Sequence, residues 1–462
     1  MTTFDGKRFE RRLYPEGSLV GLRPEGFHGL DVPMPRGLWV RQPVDRSKVG
    51  DVRATVRRQI VRSGLDARIP AGGRVAVAVG SRGIAGLPEI VSAVAEIVRE
   101  RGAVPFVVPA MGSHGGATAE GQRQVLADYG ISERALGIEV RASMDVVELG
   151  RLDSGVPVYF DREAYEADGV IAVNRVKPHT CFRGPIESGL VKILAIGLGK
   201  HRGASVLHAA GFSRFPELLP QAARVILAMT RVLFGVATVE NATEETALIE
   251  AVPSEEILSR EPELLRIARE KMGRFLFDSC DVLVVDEIGK DISGDGMDPN
   301  VTGRYSEPTM TGEDGFRAQR IVVLGLTPEA HGNASGIGVA DIITQDVLDG
   351  IDFVEMYTNA VTSRVLTSAR LPVVVPTARD AVALALLTVT GVSPERARVV
   401  RIHNTLQLER IWVSEPMWET LSGRDGFEAL TPLAPLQIET RTYPAKGGDE
   451  HSRVNARFGG TL

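Results

Sequence analysis

Cysteine, lysine and long apolar runs are scarce in this 462-residue chain, and each scarcity excludes a class of protein. Cys181 and Cys280 are the only cysteines, and they are far apart with no Cys-x-x-Cys pair. Neither a disulfide framework nor a thiolate zinc site is therefore indicated. No apolar run is long enough to span a membrane, and the first residues lack the apolar core of a signal peptide. We expect a cytoplasmic protein.

The chain also lacks an excess of basic residues. Its formal net charge is -6 and its pI is near 5.9. Nucleic acids and anionic membranes are bound through basic faces, so neither is expected as a partner. No internal repeat or low-complexity tract is present, and the length exceeds what one hydrophobic core usually serves. These properties predict a globular protein of about two domains.

Lysine is rare, but it is concentrated in one segment. Of the 53 basic residues only eight are Lys, and three of these lie between Asn174 and His208 together with three of the eight His. Unlike Arg, a Lys amine can lose its proton near neutral pH and be acylated. Lys192 lies in an apolar run containing glycine, where burial lowers the pKa of an amine. This segment is therefore the first candidate for a reactive site.

The hydrophobic pattern predicts an α/β fold. A strand over 74–80, a helix over 86–101 and a strand over 105–109 form a βαβ unit of a parallel sheet. Further predicted elements are a strand over 169–173, helices over 216–233 and 263–277, strands over 280–285, 320–326 and 372–375, and helices over 341–359 and 378–390. We expect two α/β domains with largely parallel sheets and an active-site cleft between them. The predicted bounds are 1–277 and 278–430, followed by a tail over 431–462 for which a return to the first domain is one option.

Two glycine-bearing turns follow predicted strands of the first domain. Arg82 lies in Gly80-Ser81-Arg82-Gly83, where a helix start and a guanidinium suit an anion, although an ordinary turn would look similar. His114 lies in Gly112-Ser113-His114-Gly115-Gly116. Glycines leave this imidazole open, and its pKa suits general acid/base work. The alternative for His114 is a histidine on the surface.

Two further loops carry candidate residues. His179 follows a strand end, as His114 does, so the two could serve opposite faces of one substrate carbon. Alternatively, Lys177, Arg183, Lys200, His201 and Arg202 form a basic rim for an anion. In the second domain Lys290 follows a strand and could reach a substrate carboxylate across the cleft, while the neighbouring Asp residues are expected to be solvated. The His and Cys spacing matches no conventional zinc site.

Taken in order, these residues resemble the lactate racemase family, whose enzymes use a nickel-pincer nucleotide. The resemblance consists of the Arg82 turn, the glycine-flanked His114, His179, the run Ser188-Gly189-Leu190-Val191-Lys192, and His208 sixteen residues later. Glu287-x-x-Lys290 is similar to a Gln-x-x-Lys pair of the family's second domain.

The resemblance implies a racemase or epimerase that inverts the 2-carbon of a 2-hydroxy acid by proton-coupled hydride transfer to the cofactor. His114 and His179 would be the acid/base residues. Lys192 would tether the cofactor and His208 would bind nickel. Arg82, Lys290 and Glu287 would bind the substrate. Cofactor-synthesis proteins are the implied partners, and nothing in the pattern indicates an oligomeric state.

Three positions depart from the family pattern: Gly83 replaces a proline, Leu190 replaces a glycine, and Glu287 replaces a glutamine. An anionic Glu287 disfavours a second acidic group and favours a hydroxyl-rich ligand such as a sugar acid over lactate. Two alternatives remain. One is a sugar-acid lyase or dehydratase without the pincer cofactor, and the other is a non-catalytic protein that binds an anionic metabolite.

Overall fold

Two main sheets, the first largely parallel and the second half parallel, form most of the described part of the protein, with a cleft between them. A computed structural model describes residues 30–80, 83–310 and 315–438. The predicted α/β class and the cleft between two α/β units are confirmed.

The first sheet is built around the predicted βαβ unit. Its strands pair in parallel up to the last one, which is antiparallel to its neighbour. In spatial order the strands are Glu139–Val140, Val104–Pro109, Arg74–Val79, Gly169–Arg175, Val232–Glu240 and Thr246–Pro253. The carboxyl ends of the central strands therefore lie at one edge, where ligands collect in open α/β sheets.

Helices cover both faces of the first sheet. Because side chains alternate along a strand, Ala76 and Ala78 pack into one core while Val75 and Val77 pack into another. The helices of this part are Val52–Arg62, Leu87–Glu100, Ala119–Asp128, Glu133–Leu136, Arg162–Tyr165, Leu190–Lys192, Lys200–Ala209, Phe215–Met229 and Ile257–Lys271. A separate hairpin of strands Val146–Arg151 and Pro157–Asp161 packs on the helix Lys200–Ala209.

The second sheet is parallel in its first half and antiparallel in the rest. In spatial order its strands are Val373–Val375, Ile342–Thr344, Arg317–Val323, Ser279–Val285, Val399–Ile402, Arg410–Ser414, Arg36–Arg41 and Glu428–Ala429, and Ala434–Pro435 also pairs with Arg36–Arg41. Its helices are Pro299–Thr302, Gln345–Gly350, Phe353–Ser363, Ala378–Thr388 and Glu415–Leu421. Leu283 and Val285 face one core, and Val282 and Val284 face the other.

The two ends of the described chain belong to the second sheet. The strand Arg36–Arg41, which the sequence assigned to the first domain, pairs antiparallel with Arg410–Ser414. The described part of the tail follows it, because Ala434 pairs with Gly37 and Leu436 is buried in the second domain's core. The tail thus returns to the second sheet instead of the first. The division of the chain into folding units at 277/278 stays a prediction.

Three predicted helices differ from the structure, and the one predicted over 263–277 lies six residues earlier, as Ile257–Lys271. The helix predicted over 341–359 begins as the strand Ile342–Thr344 and continues as two separate helices, of which Asp352 caps the second through its carboxylate. The helix predicted over 216–233 ends at Met229, and the strand Val232–Glu240 begins within the last predicted positions. Among the described residues no helix is long and apolar enough to cross a membrane.

Candidate active site

A cavity of about 480 Å³ lies between the two sheets and brings the main candidates together. Its wall includes His114, His179, Lys192 and His208 from the first domain. From the second domain, Lys290 and most residues of the segment 359–368 line the cavity. The cavity therefore collects acid/base, amine and imidazole groups that are widely separated in the sequence.

His114 lies on a loop that only glycine permits. The loop follows the strand Val104–Pro109, and Gly112 and Gly115 have φ values of +61° and +65°, the left-handed region that L side chains rarely adopt. A Cβ on Gly115 would lie 2.5 Å from the backbone of Gly121. Thr118 caps the next helix by accepting a hydrogen bond from the Gly121 N–H. The half-buried ring of His114 is thus presented by a loop of fixed shape.

A buried polar network supports this loop from behind. The Gln122 amide donates to the carbonyl oxygens of Gly112 (2.8 Å) and His114 (3.3 Å). Lys200 Nζ donates to Gln122 Oε1 (3.2 Å) and lies 3.0 Å from an Asp161 carboxylate oxygen. Both charged side chains are fully buried. Burial lowers the pKa of Lys200 and raises the pKa of Asp161, and their mutual attraction opposes both shifts. Lys200 therefore belongs to the support of the His114 loop and not to an exposed basic rim.

The His179 loop is held by a second buried carboxylate. Glu187 is fully buried and accepts from the backbone N–H groups of His179 (2.6 Å) and Gly184 (3.1 Å). The imidazole itself accepts a hydrogen bond at Nδ1 from the backbone N–H of Cys181 (3.0 Å). A backbone N–H can only donate, so the neutral ring carries its proton on Nε2.

Arg183 joins the His179 loop to the second domain. Its guanidinium donates to the His179 carbonyl oxygen at 2.6 Å. The same group donates to Asn300 Oδ1 and to the hydroxyl of Tyr305, and it lies over the Tyr305 ring, 4.9 Å from the centroid. The domains are thus bonded to each other directly beside a candidate acid/base residue.

Lys192 lies at the junction between an α-helical turn and a π-helical turn. The helix Leu190–Lys192 passes into a π-helical turn, Ile193–Gly197, in which the Leu198 N–H donates to the Ile193 carbonyl oxygen (2.8 Å). π-Helical turns are rare and occur frequently at functional sites. The Gly112 N–H donates to the Gly197 carbonyl oxygen (3.1 Å), so this turn is bonded to the His114 loop. The half-buried Lys192 side chain lines the cavity.

The His208 imidazole has a ring nitrogen whose lone pair could coordinate a metal. Its Nδ1 lies 2.6 Å from the Ala204 carbonyl oxygen, which can only accept, so Nδ1 carries the proton and Nε2 has a lone pair. The rings of Phe212 and Phe215 lie edge-on at about 5 Å. Burial lowers the pKa of His208, and the nearby Lys192 lowers it further. The ring is therefore neutral at neutral pH.

Clustered metal ligands are lacking in the described part of the protein. Among residues 30–80, 83–310 and 315–438, no group of three or more His, Cys, Asp or Glu side chains is arranged to bind a metal ion. A single imidazole nitrogen is available from His208. These residues fit a metal that arrives within an organic chelate, and they do not fit a metal site made by the protein alone.

The second domain contributes Lys290 but not Glu287. Lys290 Nζ donates to the Gly294 carbonyl oxygen and to Asn359 Oδ1 (3.1 Å), and the cavity wall includes all three residues. The Glu287 carboxylate instead lies 2.9 Å from His403 Nε2 and accepts a hydrogen bond from the Asn404 amide (3.3 Å), and Glu287 is absent from the cavity wall as described. Its proposed role in substrate binding and specificity stays a prediction.

Three other predicted positions have different outcomes. Arg82 lies outside the described residues. His201 is exposed on the helix Lys200–Ala209, away from the cavity wall, whereas Lys177 lines the cavity. The sequence reading missed Asn359 and the rest of the segment 359–368, because this segment reads as ordinary amphipathic helix followed by loop.

Comparison with known families identifies part of the chain. Residues 43–214 match the model of the lactate racemase N-terminal domain. This chain carries a lactate racemase N-terminal domain. The resemblance expected from the motif pattern is thereby confirmed for residues 43–214, which include His114, His179, Lys192 and His208. Lys290 lies outside the matched residues.

Solved structures similar to this chain share little sequence with it. One is the lactate racemase apoprotein from Thermoanaerobacterium thermosaccharolyticum, with 11% identity, 80% of this chain and 99% of that chain covered, and a TM-score of 0.48. Another is a Thermotoga maritima protein with 15% identity and a TM-score of 0.44; the match covers 58% of this chain and 70% of that chain. No protein with a curated description matches the chain in sequence.

Proposed function

We propose that the protein is an isomerase that inverts the 2-carbon of a 2-hydroxy acid with the help of a nickel-pincer nucleotide. The observation that carries this proposal is the cavity, which gathers two candidate acid/base imidazoles, an amine and a third, neutral imidazole between the domains. The lactate racemase N-terminal domain supports the same activity.

The residues present fit the cofactor. Lys192 would be the attachment point, and His208 would be the single protein ligand to nickel through Nε2. The absence of a three-residue metal cluster in the described part of the chain agrees with a metal whose other ligands belong to the nucleotide. When bound, the cofactor supplies a hydride acceptor, which avoids removing a weakly acidic proton beside a carboxylate.

The protein's own groups then move the hydroxyl proton. His114 and His179 exchange this proton with the substrate oxygen, one acting as base while the other acts as acid. The Cys181 N–H places the proton of the neutral His179 ring on Nε2, so this nitrogen can donate a hydrogen bond to the substrate oxygen. Lys290, held by Asn359, binds the substrate carboxylate, and Arg82 is proposed as a second carboxylate ligand.

A hydroxyl-rich substrate, such as a sugar acid, is the proposed class. Its support is the polar character of the cavity wall, because hydroxyl groups of a ligand need hydrogen-bonding partners when they are buried. The uncharged polar residues of the wall are Ser113, Asn174, Thr180, Ser188, Ser205, Asn359, Thr362, Ser363 and Ser368.

Lys192→Ala tests the attachment. The full chain is produced together with enzymes that assemble the cofactor, and its intact mass and nickel content are measured. We expect wild type to carry a nucleotide-sized adduct and nickel, and Lys192→Ala to carry no adduct. Lys48→Ala is the matched control, because Lys48 pairs with Glu245 on the surface and should leave the adduct unchanged. An active wild-type protein without adduct and nickel contradicts the proposal.

Turnover distinguishes the remaining functions. Enantiopure lactate and aldonic acids carrying deuterium at the 2-carbon are incubated with the loaded protein and separated on a chiral column. We expect inversion with the deuterium retained, because hydride returns to the same carbon. Loss of water with formation of a 2-oxo acid would indicate a dehydratase, and binding without any turnover would indicate a metabolite-binding protein.

A further inference from the structure

We propose that Glu261 is a positioning residue for Lys192, because its buried carboxylate fixes the first turn of the helix from which Lys192 projects. The naming of Lys192 as the attachment point rests on the proposed function. The placement of its helix by Glu261 rests on contacts between residues that are far apart in the sequence.

The carboxylate caps a helix to which it does not belong. Glu261 lies on the helix Ile257–Lys271 and is 1% exposed. It accepts a hydrogen bond from the Val191 N–H (2.8 Å), and the Leu190 N–H is directed at it as well. The first N–H groups of a helix have no partner within the helix, and Gly189 has no side chain to offer one. Glu261 supplies the missing acceptor.

The glycine of the Ser188-Gly189 pair makes room for this carboxylate. Gly189 has a φ of 173°, an extended conformation open to any residue, so backbone freedom does not explain it. A Cβ at this position would lie 2.6 Å from the Glu261 carboxylate. On the other side, the Asn174 amide donates to the Gly189 carbonyl oxygen (2.8 Å). The turn before Lys192 is therefore held between a strand end and the Glu261 carboxylate.

The surroundings make this cap rigid. Leu190, Val191 and Leu194 are buried in the same core as Leu264 and Leu265 of the capping helix. The backbone of the first turn is thus fixed by apolar packing and by the carboxylate together, while the Lys192 side chain reaches the cavity. A change at Glu261 should loosen this turn and alter the exposure of the Lys192 amine.

Acylation of Lys192 measures this effect without the cofactor. The folded full chain is treated with trace acetic anhydride, and peptide mass spectrometry gives the labelling rate of Lys192 relative to Lys48 and Lys271. We expect Glu261→Ala to raise the relative rate roughly two- to thirtyfold, the range that loss of an N-cap produces in a helix-end equilibrium. Glu261→Gln, which keeps one acceptor oxygen, should stay nearer to wild type than Glu261→Ala does.

Two further variants serve as a control and as a substitute for Glu261→Ala. Glu263→Ala is the matched control, because Glu263 lies on the same helix but pairs with Arg266 at the surface, and its labelling pattern should equal that of wild type. Gly189→Ala perturbs the same contact while keeping the carboxylate, and it should also raise the labelling rate of Lys192. This variant replaces Glu261→Ala in the test if Glu261→Ala does not fold. If Glu261→Ala or Gly189→Ala is folded and its Lys192 labelling rate equals that of wild type, the proposal is overturned. Because labelling needs no cofactor, a missing adduct in wild type would overturn the proposed function alone.

The pH dependence of unfolding gives a second readout. Burial raises the pKa of Glu261 from 4.5 to about 7, with the two backbone hydrogen bonds opposing the rise. A pKa that is raised on folding contributes stability that is complete below pH 4.5 and lost as the pH rises through 7. Relative to Glu261→Gln, the wild-type unfolding constant should therefore increase roughly 300-fold over this interval, as urea titrations at several pH values would measure. Parallel pH profiles of the two proteins would show that the carboxylate is not buried.

Discussion

Replacing His114 or His179 by Asn is expected to lower kcat for inversion by roughly 10²–10⁴-fold with little change in KM, as is typical for loss of a general acid or base. Asn keeps an oxygen near the Nδ1 position, so at residue 179 it can still accept from the Cys181 N–H while the proton-transferring Nε2 is lost. The measurement is chiral chromatography of the hydroxy acid with cofactor-loaded enzyme, at equal adduct occupancy for each variant.

His201→Asn is the control for this pair of variants. His201 lies in the same lysine- and histidine-bearing segment but is exposed and absent from the cavity wall as described. We expect its kcat to remain within about twofold of wild type, since surface substitutions are usually near neutral. Wild-type turnover in either His114→Asn or His179→Asn would remove that residue from the acid/base assignment.

Lys200→Met is expected to destabilise the protein by about 3–5 kcal/mol, because it leaves the fully buried Asp161 carboxylate without its cation. Urea-induced unfolding measures the difference. We also expect reduced kcat, because Gln122 loses the partner that orients its amide toward the His114 loop.

Two comparisons make the Lys200 result specific. Lys48→Met removes an exposed ion pair with Glu245 and should cost no more than about 1 kcal/mol. In the double variant Lys200→Met with Asp161→Asn, no uncompensated charge remains and the cap on Ala164 N–H is kept, so most of the stability should return. A cost for Lys200→Met equal to that of Lys48→Met would contradict the buried-pair assignment.

Local periodicity was sufficient to predict the first sheet's βαβ unit and the fold class. The predicted strand over 74–80 is Arg74–Val79 and the predicted helix over 86–101 is Leu87–Glu100. Sheet membership depends on long-range pairing that periodicity does not encode. The strand Arg36–Arg41 lies within the residues predicted for the first domain but pairs in the second sheet, with a partner more than 360 residues away.

Some residues of the candidate site could be predicted from local sequence patterns, and others could not. His114, His179, Lys192, His208 and Lys290 were found because each follows a strand end or stands in a recognisable motif, and the structure places all five in one cavity wall. Lys200 was read as part of a basic rim because its sequence neighbours are His201 and Arg202. Its burial comes from Asp161 on a hairpin that the sequence did not reveal. Glu261 gave no signal, since a single Glu in an amphipathic helix looks solvated.

The Arg183 guanidinium gives the cleft a mechanical property. It bonds at the same time to the His179 carbonyl oxygen in one domain and to Asn300 and Tyr305 in the other. The two sheets cannot move apart at this point unless these bonds break or the His179 loop moves with the second domain. If the cleft opens with these bonds intact, the His179 loop moves with the second domain, so access to the cavity and the position of His179 are coupled through Arg183.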